Sequence, residues 1–240
     1  MKLSIIIPVF NEEKTIVPVL EKITALEFPG AEKEILIVDD GSTDKTVEKV
    51  RQYINKKKPN DLFFFSHTSN QGKGAAVITG ISHAKGDYAV IQDADLEYNP
   101  EDIKRLLKAV QKEAIDVVYG TRLKRLPHFS KEERTGRFLM HYLGNKFLSL
   151  ITSTLYGQWI TDMETCYKLF PTKIAKKLTL RARGFEFEPE ITAKLIKAGL
   201  KIHEVPISTK PRGYSEGKKL DTFRDGRKAL ATLIKYRFID

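Results

Sequence analysis

The chain has little cysteine and no long apolar run. Cys166 is the only cysteine among 240 residues, which excludes an internal disulfide and a zinc site built on cysteine pairs. A transmembrane helix needs roughly 18 uncharged apolar residues, and the most apolar segment, 138–160, is interrupted by His141 and Lys146. Met1 and Lys2 run directly into a strand-like segment, so no signal peptide is expected. These features predict a cytoplasmic protein that is not integral to a membrane.

Two glycine-rich nucleotide motifs are also missing. Residues 8–12 follow the first predicted strand, where a dinucleotide-binding protein carries Gly-x-Gly-x-x-Gly. Gly72-Lys73-Gly74 resembles part of a phosphate loop but lacks the Gly-x-x-x-x-Gly-Lys-Ser/Thr spacing. A dinucleotide site of Rossmann type and a P-loop are therefore disfavoured.

Charge is distributed unevenly along the chain. The net charge is +10, and it divides into −3 for residues 1–120 and +13 for residues 121–240. The basic half is suited to an anionic partner, such as nucleic acid, acidic lipid or a phosphorylated substrate, or it is simply a solvated surface.

Short apolar segments alternate with helical patterns through the first half. This order is typical of an α/β fold with a mostly parallel sheet covered by helices on both faces. The length allows one large domain or two small ones, and we expect a single domain over 1–240. Predicted strands are 3–8, 34–39, 62–66, 87–92 and 116–119; predicted helices are 12–26, 44–55, 73–84 and 100–113.

Polar clusters follow the first four predicted strands. Ligands of parallel sheets bind beyond the carboxyl ends of the strands, so these clusters predict one shared site. Ser42 or Thr43 is also expected to cap the helix that follows the second strand. The clusters are Asn11-Glu12, 39–42, 70–74 and 93–95.

Asp93 and Asp95 come directly after the apolar segment 88–91. Ionised carboxylates are seldom buried unless they are paired or bind a metal. Residues two apart in an extended chain point to the same side, so both carboxylates can reach one hard cation, and Glu97 supplies a third oxygen if the chain stays extended. The spacing predicts a divalent-cation site, with an acidic turn after an edge strand as the alternative.

The first half contains four motifs, at 5–12, 38–44, 70–76 and 93–95. They resemble those of the family 2 glycosyltransferases, which have the GT-A fold. The second half adds three segments, at 120–122, 162–168 and 204–207. These segments are similar to the branch of dolichyl- or polyprenyl-phosphate mannosyl- and glucosyltransferases. The chain departs from that branch at Glu97, where some members carry Gln, and at Cys166, where Gly is usual.

The resemblance implies a division of roles between the two halves. Residues 1–120 would bind the nucleotide sugar, 121–219 the acceptor, and 220–240 would form an amphipathic helix. Asp93, Asp95 and Glu97 would hold Mg²⁺ or Mn²⁺ on the diphosphate, since oxygen ligands suit these hard ions. The implied nucleotide-binding residues are Pro8, Val9, Phe10, Glu12, Asp39, Lys73, Asp93 and Ala94.

The implied reaction is metal-dependent and inverting, with mannose or glucose moving from a GDP- or UDP-linked donor to a polyprenyl or dolichyl phosphate. A phosphate acceptor needs cations rather than a protein base, because its oxygen is already ionised. Implied catalytic residues are Asp95, Arg122, Asp162 and Glu164, and implied acceptor-binding residues are Arg122, Thr165, Arg212, Lys218 and Lys219.

Two other functions stay open on the sequence. The same donor chemistry with a glycan or small-molecule hydroxyl acceptor would need a base at Asp162 or Glu164. A basic nucleic-acid-binding module is a remote alternative, because no recognition motif accompanies the basic charge.

Two basic amphipathic segments predict contact with a membrane surface, on its cytoplasmic face. Apolar residues recur over 138–151, flanked by Arg134, Arg137 and Lys146, and again over 223–238 among basic residues. Such helices lie in the lipid interface. Packing of the same stripes against the sheet is the alternative.

Overall fold

The computed structural model describes residues 1–113, 115–122, 136–210 and 222–239. Within these residues seven strands form one sheet in the order β3-β2-β1-β4-β6-β5-β7. The strands are β1 (Lys2–Val9), β2 (Glu32–Asp39), β3 (Leu62–Ser66), β4 (Tyr88–Ile91), β5 (Val117–Thr121), β6 (Lys168–Pro171) and β7 (Ile202–Pro206). The helices are α1 (Ile16–Ala25), α2 (Thr46–Lys57), α3 (Lys73–His83), α4 (Ile103–Glu113), α5 (Gly136–Tyr156), α6 (Thr172–Ala175), α7 (Phe187–Lys197) and α8 (Thr222–Phe238).

The expected α/β architecture is confirmed. β1 pairs in parallel with β2 and β4, and β2 pairs in parallel with β3. Ile5 of β1 lies opposite Ile35 and Val90, and all three are fully buried. Helices cover both faces of the sheet, which explains why the central strands are apolar throughout rather than alternating.

The second half adds two strands that the sequence patterns do not predict. β6 runs antiparallel between β4 and β5, and β7 runs parallel to β5. β6 is only four residues long and begins at Lys168, so it has neither the length nor the apolar start of a typical buried strand. The sheet is therefore mixed, and it includes strands from both halves of the chain.

Helix starts differ from the predicted ones. α1 begins at Ile16 and α2 at Thr46, after turns rather than at 12 and 44. The predicted cap at Ser42 or Thr43 is wrong, because the residue before α2 is Lys45. The Ser42 hydroxyl accepts instead from the Asn11 backbone N–H at 2.9 Å.

α3 packs closely on the sheet. A Cβ on Gly80 would lie 2.4 Å from Cγ2 of Ile6, so only glycine allows this approach of α3 to β1. α5, α7 and α8 pack against one another in the second half. None of the helices in the described ranges combines the length and apolarity needed to cross a bilayer.

Candidate active site

The loops after β1, β2, β3 and β4 meet at one edge of the sheet, which we call the carboxyl edge. The Asn11 side chain accepts from the Thr43 backbone N–H at 2.8 Å and so joins the loops after β1 and β2. Asp40 joins the loops after β2 and β3, because its carboxylate accepts from the backbone N–H groups of Gln71 and Gly72 at 2.9 and 2.7 Å. The expected convergence of the polar clusters is confirmed for these loops.

Glycine is required where the loop after β3 enters α3. Gly72 has φ +101°, and a Cβ there would lie 2.3 Å from the Arg183 carbonyl oxygen. A Cβ on Gly74 would lie 2.5 Å from the Ala182 carbonyl oxygen. The start of α3 therefore packs on residues 182–184, and this contact sets the position of Lys73.

Lys73 connects the loop after β3 with the acidic loop after β4. Its Nζ lies 2.8 Å from Oδ1 of Asp93 and 3.4 Å from Oε1 of Glu188. Burial alone would lower the pKa of Lys73, but the neighbouring negative charges, Asp93 and Glu188 among them, and the hydrogen bond to Asp93 together outweigh burial and raise that pKa well above its usual value. Lys73 is thus a permanent cation beside the candidate metal ligand.

The residues implied for the nucleobase lie around the end of β1. Pro8 and Val9 are buried in the strand, and Phe10 and Glu12 are half-buried just beyond it. Asp39, also implied as a nucleotide-binding residue, is only 1% exposed at the end of β2. Its carboxylate accepts from the Ser42 N–H and, at 3.0 Å, from the Ser66 hydroxyl.

The segment from Asp93 to Glu97 is a turn rather than an extended chain. Ala94 is buried and Leu96 has φ +65°, so the alternating geometry assumed for the three carboxylates does not hold. Oδ1 of Asp95 accepts from the Glu97 backbone N–H at 3.0 Å. In the described ranges no three His, Cys, Asp or Glu side chains are grouped as metal ligands, so the structure does not assemble the expected triad.

Asp93 and Asp95 nevertheless have the donor chemistry for Mg²⁺ or Mn²⁺. Both carboxylates are partly exposed at the carboxyl edge, and oxygen ligands are the ones these ions prefer. Mg²⁺ in particular is commonly bound by one or two carboxylates together with substrate phosphates and water. The site therefore fits a cation that arrives with a diphosphate.

Arg122 is anchored at the end of β5 by a buried carboxylate. Its Nε and Nη2 donate to Asp162 at 2.8 Å each, and its backbone N–H donates to the same carboxylate at 2.9 Å. Asn145 of α5 adds a fourth donor at 3.1 Å. Burial favours the neutral acid, but Arg122 and these hydrogen bonds hold the pKa of Asp162 below its usual range.

Glu164, two residues further on, has the opposite environment. Its Oε1 is buried and has no hydrogen-bond partner in the described part of the chain. Burial raises the pKa of Glu164 to about 7. Oγ1 of the neighbouring Thr165 is also buried without a partner there. The turn thus holds one fixed carboxylate, Asp162, and one that gains and loses a proton near neutral pH.

The sequence model of glycosyl transferase family 2 matches residues 4–179. The chain belongs to glycosyltransferase family 2. It is 32% identical over 238 residues to an uncharacterized protein of Methanocaldococcus jannaschii, covering 97% of this chain and 91% of that protein.

Two relatives with named activities fix the branch of this glycosyltransferase. UDP-N-acetylglucosamine–dolichyl-phosphate N-acetylglucosaminyltransferase of Methanococcus voltae is 32% identical over 226 residues, 88% of this chain and 86% of the relative. Dolichyl-phosphate beta-glucosyltransferase of Dictyostelium discoideum is 28% identical over 98% of this chain and 74% of its own length. The chain is therefore a glycosyltransferase of the polyprenyl-phosphate branch.

The GT-A-like fold is confirmed by solved structures. Glucosyl-3-phosphoglycerate synthase of Mycobacterium tuberculosis, in complex with Mn²⁺, uridine diphosphate and phosphoglyceric acid, superposes with a TM-score of 0.72. The match covers all of this glycosyltransferase and 79% of that chain, at 22% identity.

Sequence reasoning missed two buried residues that support the site of this glycosyltransferase. Lys168, fully buried at the start of β6, donates to the Met163 and Thr165 carbonyl oxygens and to Glu188. Glu188, at the start of α7, is 3% exposed. The sequence signal is weak: Lys168 stands directly before the apolar residues Leu169 and Phe170, and Glu188 is one of two glutamates in the segment 187–195.

Some predicted residues are not part of the described structure. Arg212, Lys218 and Lys219, implied for acceptor binding, lie outside the described residues. Two acceptor candidates are described: Thr165 lies in the turn 162–166, and Arg122 contacts that turn through Asp162.

The helix behind that turn has two contrasting faces. Toward the turn, Asn145 contacts Asp162, and the hydroxyls of Ser149 and Ser153 accept from the backbone N–H groups of Met163 and Ile160 at 3.0 Å. The opposite side, which we call the outer face of α5, is apolar and about half exposed. It consists of Leu139, Met140, Leu143, Phe147 and Leu150.

Proposed function

We propose that this glycosyltransferase is a cation-dependent, inverting enzyme that transfers a hexose from a GDP- or UDP-linked donor to a polyprenyl or dolichyl phosphate. Residues 1–120 bind the donor and residues 121–219 bind the acceptor within one domain. The observation that carries the proposal is Arg122, a cation that is fixed by a fully buried carboxylate and lies beside Tyr98, which follows the acidic turn.

Arg122 is suited to hold an acceptor phosphate. Asp162 engages Nε and Nη2, and within the described residues no hydrogen bond engages Nη1. Arginine binds phosphate oxygens strongly and directionally. Its guanidinium lies 5.8 Å from the ring centre of Tyr98, which follows the acidic turn, and this distance supports an acceptor site beside the donor site.

The proposed chemistry needs no protein nucleophile. A phosphate oxygen of the acceptor attacks the anomeric carbon, the bond from that carbon to the nucleoside diphosphate breaks, and the configuration inverts. Mg²⁺ or Mn²⁺ held by Asp93 and Asp95 would offset the negative charge that develops on the leaving diphosphate. Arg122 orients the attacking phosphate, and Asp162 positions Arg122.

The outer face of α5 supports a lipid-linked acceptor and peripheral contact with the cytoplasmic face of a membrane. The same helix carries Asn145, which contacts the Arg122 anchor, and the exposed apolar residues on its other side. Exposed Phe223, Ile234 and Phe238 of α8 lie among basic residues. Apolar side chains beside basic ones bind anionic lipid surfaces.

The names of relatives support a range of donor sugars. They include N-acetylglucosamine from a UDP-linked donor, glucose, and galacturonate in a dodecaprenyl-phosphate galacturonate synthase. We propose glucose or mannose for this chain, and a panel of radiolabelled GDP- and UDP-sugars tests the choice. If the enzyme preferred the sugar of one of these relatives, such as N-acetylglucosamine, the proposal of glucose or mannose would be wrong.

Arg122→Gln tests the acceptor site. Loss of the guanidinium should raise KM for a short polyprenyl phosphate at least about tenfold, because a charge-assisted hydrogen bond is lost. The affinity for the nucleotide sugar should stay near that of the wild type. An unchanged KM for the lipid phosphate would remove Arg122 from the acceptor site.

One observation favours a second candidate, transfer to a hydroxyl group. Glu164 has a pKa raised by burial to about 7 and a carboxylate oxygen without a partner in the described ranges, as a general base requires. Asp162 is the weaker base candidate because Arg122 and Asn145 hold it ionised. Glu164→Gln should abolish transfer to a hydroxyl acceptor but only weaken transfer to a phosphate.

A further inference from the structure

Lys73 lies between two carboxylates that are held in different ways. Asp93, the nearer at 2.8 Å, is a candidate cation ligand on a turn and is partly exposed. Glu188, at 3.4 Å, is almost fully buried at the start of a helix. Lys168 ion-pairs with Oε2 of Glu188, whereas Oε1 faces Lys73. Glu188 is therefore the fixed partner and Asp93 the exchangeable one.

The free protein thus has a competitor at the predicted cation site. Oδ1 of Asp93 cannot bind a divalent cation at full strength while the Lys73 ammonium lies 2.8 Å away, because two cations would share one carboxylate. The Lys73 side chain is only 17% exposed, so its ammonium is more stable beside an anionic partner than without one. Oε1 of Glu188 makes no hydrogen bond with any described residue, so it has room to accept one.

We propose that Glu188 is a positioning residue that receives the Lys73 ammonium when a divalent cation and a nucleoside diphosphate bind at Asp93. This inference rests on the cation-and-diphosphate part of the proposed function. A shift of less than 1 Å brings the 3.4 Å ion pair to the length of a charge-assisted hydrogen bond. Lys73 thus releases Asp93 without losing its own countercharge, and it stays within reach of the diphosphate.

The test measures Mn²⁺ binding, not turnover. Free Mn²⁺ is followed by electron paramagnetic resonance while the protein is titrated with Mn²⁺, alone and with UDP or GDP. Glu188→Gln should weaken Mn²⁺ binding in the presence of nucleotide about tenfold, the size of one lost charge-assisted hydrogen bond. Lys73→Met should tighten binding of Mn²⁺ alone, because the competing ammonium is gone.

A double-mutant cycle distinguishes the movement of Lys73 from Asp93 to Glu188 from a simple attraction between the charge of Glu188 and the cation. In the Lys73→Met background, Glu188→Gln should have no further effect, because no ammonium remains to be received. An equal loss in both backgrounds would mean that Glu188 acts only through its charge, and the proposal would be overturned. Glu188→Asp keeps the charge but shortens the side chain, and it should weaken Mn²⁺ binding as Glu188→Gln does.

The matched control is Glu34→Gln. Glu34 is also a buried glutamate that pairs with a lysine, but it lies near the amino end of β2, away from the carboxyl edge. The Glu34→Gln variant should bind Mn²⁺ with the affinity of the wild type. Wild-type affinity in Glu188→Gln, or no Mn²⁺ binding by the wild type with either nucleotide, would overturn the inference. If the Mn²⁺ measurements gave the expected results but no lipid-linked product formed, only the assignment of the acceptor would be rejected.

Discussion

Asp162 and Glu164 lie two residues apart and have pKa values shifted in opposite directions. Asp162 is fully buried but accepts four hydrogen bonds, two of them from the Arg122 guanidinium. Glu164 is buried as well, but there burial determines the pKa, because hydrogen bonds from the described residues do not offset it. Local donors, rather than depth alone, decide which carboxyl stays ionised.

Glu164→Gln should make stability less dependent on pH. Glu164 takes up its proton near pH 4.5 when unfolded and near pH 7 when folded, so ionisation in the folded protein costs stability as pH rises through this window. The variant should match the wild type below pH 4.5 and exceed it above pH 7, by up to about 3 kcal/mol. Urea unfolding at a series of pH values measures the difference. A constant difference across the series would mean that Glu164 does not titrate in this window.

Asp162→Asn should loosen Arg122 and destabilise the fold. Removing one partner of a buried ion pair typically costs about 3 kcal/mol or more. Because the pKa of Asp162 is lowered in the folded protein, its contribution is present above about pH 4 and is lost on acidification. The deficit of the variant should therefore shrink in acid unfolding curves. An equal deficit at all pH values would contradict the ion-pair role.

At the scale of residues, the sequence indicated which side chains belong to the candidate site, but it did not indicate which of them bond to one another. Asp93, Arg122, Asp162 and Glu164 were all recognisable from motifs, but the bond between Arg122 and Asp162 joins residues 40 positions apart. Glu188 belongs to none of the recognised motifs, and Lys168 ends the segment 162–168, where the sequence alone gives it no role. Their roles depend on β6, an antiparallel strand that local periodicity does not reveal.

At the scale of elements, the two sides of α5 have different roles. Its polar inner side fixes the turn that anchors Arg122, and its outer face presents five exposed apolar side chains. The sequence predicted the helix and its apolar stripe, but it left open whether the stripe packs on the sheet. The structure buries Leu148 and exposes Leu143 and Phe147, so the stripe is divided between the two roles.

Leu143→Ser with Phe147→Ser should reduce binding to liposomes that contain anionic lipid. Both side chains are more than half exposed, so the loss of buried area on folding is small and the thermal midpoint should change little. Flotation with the liposomes measures binding, and Phe63→Ser on β3, also an exposed apolar site, is the matched control. Equal binding by the α5 variant and the control would reject the outer face of α5 as a membrane contact.

Gly74→Ala should disturb the start of α3. The new Cβ would lie 2.5 Å from the Ala182 carbonyl oxygen, so the helix must move away from residues 182–184. Overpacking of this kind typically costs about 1–3 kcal/mol. Nucleotide affinity should fall together with stability, because Lys73 moves with the helix. Calorimetric titration with UDP or GDP measures the first effect, and a stable variant with wild-type affinity would contradict the tight packing.

At the scale of the molecule, the two differently charged halves of the chain contribute to one sheet. The acidic half supplies β1 to β5 and the carboxylates at the carboxyl edge, and the basic half adds β6 and β7 to the same sheet. The first five strands were predictable because parallel strands covered by helices are continuous apolar segments. β6 and β7 were not predicted, because short strands beside charged residues lack that pattern.

The central claim is transfer of a sugar to a lipid phosphate. The most direct measurement gives the enzyme radiolabelled GDP- and UDP-hexoses with Mg²⁺ or Mn²⁺ and compares three acceptors: a short polyprenyl phosphate, the matching polyprenol and 3-phosphoglycerate. We predict extractable lipid-linked sugar from the polyprenyl phosphate alone, and none after Asp95→Ala. Product from the polyprenol or from 3-phosphoglycerate but not from the lipid phosphate, or full activity of Asp95→Ala, would contradict the account.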